Sequence, residues 1–136
     1  ILRKPGALTP EEFEIVKRHT VIGEDLLRGM KDYAGEPLVE IAAEICRWHH
    51  ERVDGRGYPD GLKGDEIPIA AQAVSVADVF DALVSRRAYK EAYTPEEAMA
   101  MIRRGECGAF DPLLVECLQD IQDALRYEVY TAGGAE

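Results

Sequence analysis

The same four residues, Thr-Pro-Glu-Glu, stand at Thr9–Glu12 and again at Thr94–Glu97, and they commit the chain to helices. A threonine hydroxyl accepts from the amide three residues on, the glutamate there reaches back to the threonine amide, and proline is preset for the first helical turn. The first box predicts a helix from about Pro10 through Lys17, with His19 at its end. The second predicts a helix that Gly105 closes. Between the boxes, apolar residues recur at helical spacing: Val21, Ile22, Leu26 and Leu27 around Gly23, then Leu38, Ile41, Ala42, Ile45 and Trp48 within Pro37–His49. Gly29 and Gly35 bracket a loop. Ile69–Arg86 reads as a long, mostly apolar, central helix. Asp111-Pro112 opens an amphipathic last helix to about Tyr127, and the tail from Thr131 to Glu136 reads as frayed. No stretch alternates convincingly as a strand, so the expected fold class is all-α. Nothing marks a linker, an internal repeat or a second domain within 1–136.

One segment refuses regular structure. Glu51–Pro68 holds Gly55, Gly57, Gly61, Gly64, Pro59 and Pro68. A loop this rich in glycine and proline inside a helical domain is usually functional. It follows directly on two adjacent histidines, His49 and His50.

Charge and cysteine usage narrow the function class. The net charge of -10 argues against duplex nucleic acid, which needs a cationic face. A small nucleotide remains open, because Arg86, Arg87 and Lys90 form a local cationic cluster. Cys46, Cys107 and Cys117 are odd in number and lack Cys-x-x-Cys spacing, so they read as thiols in a reducing compartment, consistent with a cytoplasmic protein. Asp78 and Asp81 interrupt the apolar run Ile67–Val84, so it is no membrane span. No signal peptide opens the chain, and the first residue is Ile1, so the sequence reads as a piece of a longer one.

The histidines and two aspartates are the candidates for chemistry. Neighbours on a regular helix point about 100° apart. On that geometry His49 and His50 do not easily serve one metal from one side; they suit two adjacent metals, or one metal and a substrate oxygen. Asp78 lies mid-helix with Asp81 one turn on and the same face continuing to Ser85. A buried carboxylate there needs a cation or hydrogen bonds. Imidazole with carboxylate suits iron, manganese or zinc. Each feature also has a plain structural reading. A single histidine is more often a surface or hydrogen-bonded residue than a ligand. Asp78 and Asp81 could pair with Arg86 or Arg87 along the helix, and the three cations could be a solvated helix end. Trp48, Phe80 and the aliphatic stripes read as core. No Ser-His-Asp or Cys-His relay, P-loop or dinucleotide fingerprint occurs.

Taken together, the blocks are more specific. The run from His49-His50-Glu51 through Asp54-Gly55, Gly57-Tyr58-Pro59-Asp60-Gly61 to Ile67-Pro68 resembles the signature of the HD-GYP family. Ala77–Leu83 followed by Arg86–Lys90 resembles its next block, Lys4–Thr9 with Lys17-Arg18-His19 the block before, and Gly108–Pro112 the closing one. The blocks stand in family order and cover nearly the whole chain. The resemblance implies one HD-GYP-like domain over 1–136, a helical bundle of the HD-domain type, truncated at its N-terminus, that holds two or three metals, commonly iron or manganese. It implies a phosphodiesterase for cyclic di-GMP in bacterial signal transduction, in which paired metals activate water against a clamped phosphate. By position it implies His19, His49, His50 and Asp78 as metal ligands. It implies Arg87 and Lys90 as phosphate holders, and Gly57, Tyr58, Pro59 and Asp81 as residues lining the substrate site. The Gly-Tyr-Pro loop is further implied as a contact for a signalling protein. The family's His-Asp pair is expected just before Ile1, so no catalytic residue is assigned within the chain, which on its own is expected to bind metal poorly and to be inactive. Ala88 stands where the family has proline. The alternative from another class is a non-catalytic module that keeps the fold and loop to bind a partner.

Overall fold

The computed structural model describes residue 4, residues 6–85 and residues 92–132. Six α-helices are described: α1 Pro10–Lys17, α2 His19–Arg28, α3 Pro37–Trp48, α4 Ile69–Val84, α5 Pro95–Arg103 and α6 Pro112–Ala132. Short 3-10 turns cover Lys31–Tyr33 and Gly64–Glu66. Among the described residues no strand forms, and the one isolated bridge pairs Asp54 with Lys63. The expected all-α class therefore holds.

Both capping boxes close as their residues predict. Thr9 Oγ1 accepts from the Glu12 amide at 3.2 Å while the Glu12 carboxylate accepts from the Thr9 amide at 2.8 Å. Thr94 and Glu97 repeat the pair at 3.2 and 2.8 Å. Each cap of this kind contributes about 1 kcal/mol. Gly105 ends α5 at φ +72°, where the amides of Gly105 and Glu106 donate to the carbonyls of Ile102 and Met101. Asp111 Oδ1 accepts from the Leu113 amide at 2.8 Å and so opens α6.

Three expected boundaries need correction. His19 does not end the first helix; the chain breaks at Arg18, and His19 is the first residue of α2. The central helix stops at Val84, where Ser85 is already extended, rather than running on to Arg86. α6 continues to Ala132, so Thr131 and Ala132 are helical rather than frayed.

The apolar core lies between α4, α5 and α6. Val76, Leu83, Ala98 and Ile102 are buried there, with Phe80, Phe110, Leu114, Val115 and Leu118 packed against them. Burying a side chain such as Leu83 or Ile102 contributes roughly 1.5–3 kcal/mol. α4 is thus central, touching α3 on one side and α5 and α6 on the other. α2 packs on α3. Their approach is close at Gly23, where an added Cβ would sit 3.2 Å from Cys46 Cβ. That closeness positions the site, because His19 is one turn before Gly23 and His49 is three residues after Cys46. Cys46, Cys107 and Cys117 form no disulfide.

Candidate metal centre

His19, His49 and His50 meet at the junction of α2, α3 and the glycine-rich loop. One ring nitrogen from each lies within 4.8 Å of the others. His49 and His50 were expected to diverge as helix neighbours, and the geometry corrects this. The α-helix ends at Trp48, His49 is its C-cap, and His50 already belongs to a turn. Their rings pack with centroids 4.0 Å apart and an interplanar angle of 42°.

The hydrogen bonds assign the tautomers of two of the three rings. His19 Nδ1 lies 2.7 Å from the Val16 carbonyl, and His49 Nδ1 lies 2.9 Å from that of Ile45 and 3.0 Å from that of Cys46. A carbonyl only accepts, so each Nδ1 carries the proton and each Nε2 presents a lone pair. Those two Nε2 atoms face one another at 3.4 Å. Two lone pairs at that distance repel unless a cation lies between them. Two imidazole nitrogens on one ion at bonds of about 2.0–2.1 Å stand roughly that far apart. His50 completes the set as a neutral ring. Burial pushes its pKa down to about 3, and protonating it would also place a charge beside two further imidazoles and the Arg52 guanidinium. A neutral imidazole at ordinary pH is what a divalent ion requires. The donor set therefore fits a metal.

The loop is held against this nest by contacts that a reading of motifs does not reveal. Glu51 is 2% exposed, and its carboxylate accepts from three successive loop amides: Asp60 at 2.7 Å, Gly61 at 3.0 Å and Leu62 at 3.0 Å. Arg47 on α3 grips Asp60 with Nε at 2.8 Å and Nη2 at 3.0 Å, and donates to Glu24 on α2 at 2.5 Å. These bonds, that to Asp60 first, hold the Arg47 guanidinium above its ordinary pKa. Trp48 Nε1 donates to the same Asp60 carboxylate at 2.7 Å. Arg52 Nη1 donates to the carbonyls of Glu51 at 2.8 Å and His49 at 3.4 Å and to Ser75 Oγ at 2.7 Å, which ties the end of α3 to α4. Its guanidinium lies 4.9 Å from the Phe110 ring, and burial lowers its pKa. Glu51 carried one signal, a carboxylate beside paired histidines at the head of a Gly-Pro loop. The contacts of Arg47, Asp60 and Gly23 carried none, since their partners are distant in sequence.

Thus anchored, the loop brings Tyr58 onto His50. The two rings stack with centroids 4.7 Å apart at 23°, and Phe13 meets Tyr58 edge-on at 5.9 Å. Burial raises the Tyr58 hydroxyl pKa. Gly57 passes so close to the chain that a Cβ there would stand 2.4 Å from Glu51 Cα. Pro59 follows a cis peptide bond and is half-buried.

Asp78 and Asp81 are not among the residues that gather at the nest. Asp78 is exposed on α4 rather than buried, so it needs no compensating cation for burial. It stands outside the histidine group, within electrostatic reach of Arg52 and Tyr58. Asp81 is exposed too and accepts from Ser85 Oγ at 3.2 Å. Arg86, Arg87, Ala88 and Lys90 lie outside the described residues.

The profile of the HD domain family matches residues 1–114. The chain belongs to the HD domain family. Its HD-GYP resemblance is carried further by relatives. The chain is 48% identical over 118 residues to a cyclic di-GMP phosphodiesterase response regulator, RpfG, of Xanthomonas campestris, covering 87% of this chain and 30% of that protein. It is 48% identical over 132 residues to a cyclic di-GMP phosphodiesterase of Thermotoga maritima, covering 94% of this chain and 35% of the other. It thus spans about a third of the length of these relatives. Among solved structures, Bd1817, an HDG"Y"P protein from Bdellovibrio bacteriovorus, superposes with a TM-score of 0.66 at 22% identity, over 90% of this chain and 37% of that one. That likeness establishes the HD-GYP fold. Membership in the HD domain family implies a divalent metal, and the histidine nest is where this HD domain offers donors for one. Among the described residues, no helix is long and apolar enough to cross a membrane.

Proposed function

We propose that the chain is the metal-holding part of a phosphodiesterase that linearises cyclic di-GMP, with residues 1–136 as one HD-GYP-like unit. The observation that carries this reading is the pair of Nε2 lone pairs of His19 and His49 at 3.4 Å, with neutral His50 beside them. Relatives that share this sequence at 48% identity are cyclic di-GMP phosphodiesterases. Iron or manganese is the proposed metal, held by His19, His49 and His50 with Asp78 contributing from α4. A divalent ion in such a nest supplies Lewis-acid activation of water and neutralisation of phosphoryl charge. The chain's own residues do the rest. The Val16, Ile45 and Cys46 carbonyls keep the Nδ1 protons and so keep the ligand lone pairs aimed inward. Tyr58, stacked on His50, excludes water from one face of that ring. Gly57, Pro59 and Asp81 line the approach for substrate, and Arg87 and Lys90 offset charge on the phosphate. The Gly-Tyr-Pro loop is the proposed contact for a protein partner, and the cytoplasm the proposed compartment.

Two measurements test this. The protein that carries this chain, loaded with iron or manganese, linearises cyclic di-GMP more readily than other cyclic dinucleotides; failure to cleave any of a panel overturns the reading. Elemental analysis after anaerobic reconstitution of the 136-residue chain finds bound metal, and His49→Ala removes it. A folded chain that takes up no metal favours the non-catalytic, partner-binding module.

A further inference from the structure

Beside the histidine nest runs an open cleft of about 470 Å³, lined among others by Lys17, His50, Arg52, Arg56, Tyr58 and Gly108. We infer that this cleft is an anion subsite that takes a phosphate group of a nucleotide next to the metal-holding histidines. The choice of nucleotide rests on the phosphodiesterase reading; the anion preference rests on the residues alone.

The local charge is opposite to that of the molecule. In a chain of net charge -10, the cleft gathers Lys17, Arg52 and Arg56 against a single lining carboxylate, Asp54. Asp54 reaches only Arg56, at 3.9 Å, and both are well exposed. Lys17 pairs with Glu14, an exposed carboxylate that a stronger anion can displace, and lies 5.7 Å from the Tyr58 ring centroid on the cleft wall. Arg52 is the decisive group. It is half-buried, and no carboxylate lies within ion-pair distance of it among the described residues. Its Nη1 is committed to His49, Glu51 and Ser75, and Phe110 flanks its plane. The guanidinium is therefore held in one orientation, while its remaining N–H groups have no acceptor among the described residues. A fixed fork with unused donors is the arrangement that recognises a phosphate bidentately. Gly108 permits the fork to lie there, since a Cβ at that position would stand 2.6 Å from Arg52 Nε. His50 lines the same cleft and belongs to the nest, so an anion seated on Arg52 stands next to the metal-holding site.

The test uses the chain in chelator, with inorganic phosphate and guanosine monophosphate as probes at constant ionic strength, and isotope-edited NMR of the arginine side-chain N–H groups as readout. Saturable shifts of the Arg52 N–H signals are expected with both probes and not with guanosine. Lys17→Met, whose backbone carbonyl keeps the bond to Thr20 Oγ1, weakens both probes several-fold. Arg52→Lys, which keeps the charge but loses the fork, weakens them by on the order of tenfold, the loss of one charge-assisted bond. Non-saturating shifts, equal response to guanosine, or affinity unchanged in both variants overturns the subsite. Because no metal is present, the result is separable from the phosphodiesterase reading. Phosphate binding without cleavage of cyclic di-GMP by the metal-loaded protein retains the subsite and removes that reading. Cleavage without phosphate binding does the reverse.

Discussion

Glu51 shows how one side chain shapes the site without touching a histidine ring. Its carboxylate satisfies three loop amides that would otherwise be left without partners beside a buried residue. Glu51→Gln keeps the shape but replaces one acceptor oxygen with a donor facing an amide. It is expected to destabilise the chain by about 2–3 kcal/mol, the cost of losing charged acceptors to buried donors, as read from urea unfolding. Asp60 makes the complementary bond on the outer side of the loop. The Arg47 hydrogen bonds, with that of Trp48, hold its carboxyl below the ordinary range. Its folded pKa is lower than its unfolded one. The stability it contributes is therefore fully present above about pH 4, the ordinary Asp value, and is lost as pH falls through the folded value. Urea midpoints measured from neutral to acid pH are expected to fall less steeply below that point in Asp60→Asn than in the parent chain. Equal slopes would mean that Arg47 does not hold Asp60 in solution.

At the scale of elements, the site exists because α2 and α3 come close and the loop folds back over their ends. Gly23→Val places a branched side chain against Cys46, where even a single Cβ stands at 3.2 Å. Overpacking of this kind costs about 1–3 kcal/mol. Separating the helices also moves His19 from His49, so metal affinity is expected to fall with stability. Cys46→Gly in the same chain should recover both, a coupling that a double-mutant cycle measures. Gly57→Ala is expected to be harsher, because the contact at 2.4 Å is with the backbone of Glu51, which cannot step aside. These two glycines also mark the limit of what the residues disclose in one dimension. Helix starts at Thr9 and Thr94 and the stop at Gly105 were legible, because capping is local and its partners are three or four residues away. The paired histidines and their loop were legible as a motif. The convergence of His49 and His50 was not, because it depends on α3 ending one residue earlier than its apolar pattern suggests. The exposure of Asp78 was hidden too, since which face of an apolar helix is covered depends on neighbours far along the chain. Glu51 beside Asp60–Leu62, and Arg47 beside Asp60, are tertiary pairs of the same kind.

Across the whole molecule, the histidine nest stands where α2 packs on α3, apart from the main apolar core. The core lies in α4, α5 and α6, whereas the nest takes His19 from α2 and His49 and His50 from the end of α3. A metal there bridges α2 to α3 and, through Tyr58 on His50, to the loop. A ligand that binds only the folded state stabilises it by mass action, by about 2.7 kcal/mol at a free concentration a hundredfold above its dissociation constant. Unfolded histidines at scattered positions bind far more weakly, so the nest should behave as such a ligand site. Titrating manganese or iron into the chelator-washed chain is expected to raise the thermal midpoint progressively, without a plateau while free metal increases. His49→Ala should abolish the rise, although the apo midpoint of that variant should stay near or above the parent's, because truncation removes one of two opposed lone pairs. The apo comparison is the sharper half of the experiment. If His49→Ala lowers the apo midpoint by several kcal/mol equivalent, the 3.4 Å contact is an ordinary hydrogen bond that holds the helices together, with one ring in the other tautomer. If it does not, the facing nitrogens are strained in the absence of a cation, and the fold has placed them there for one.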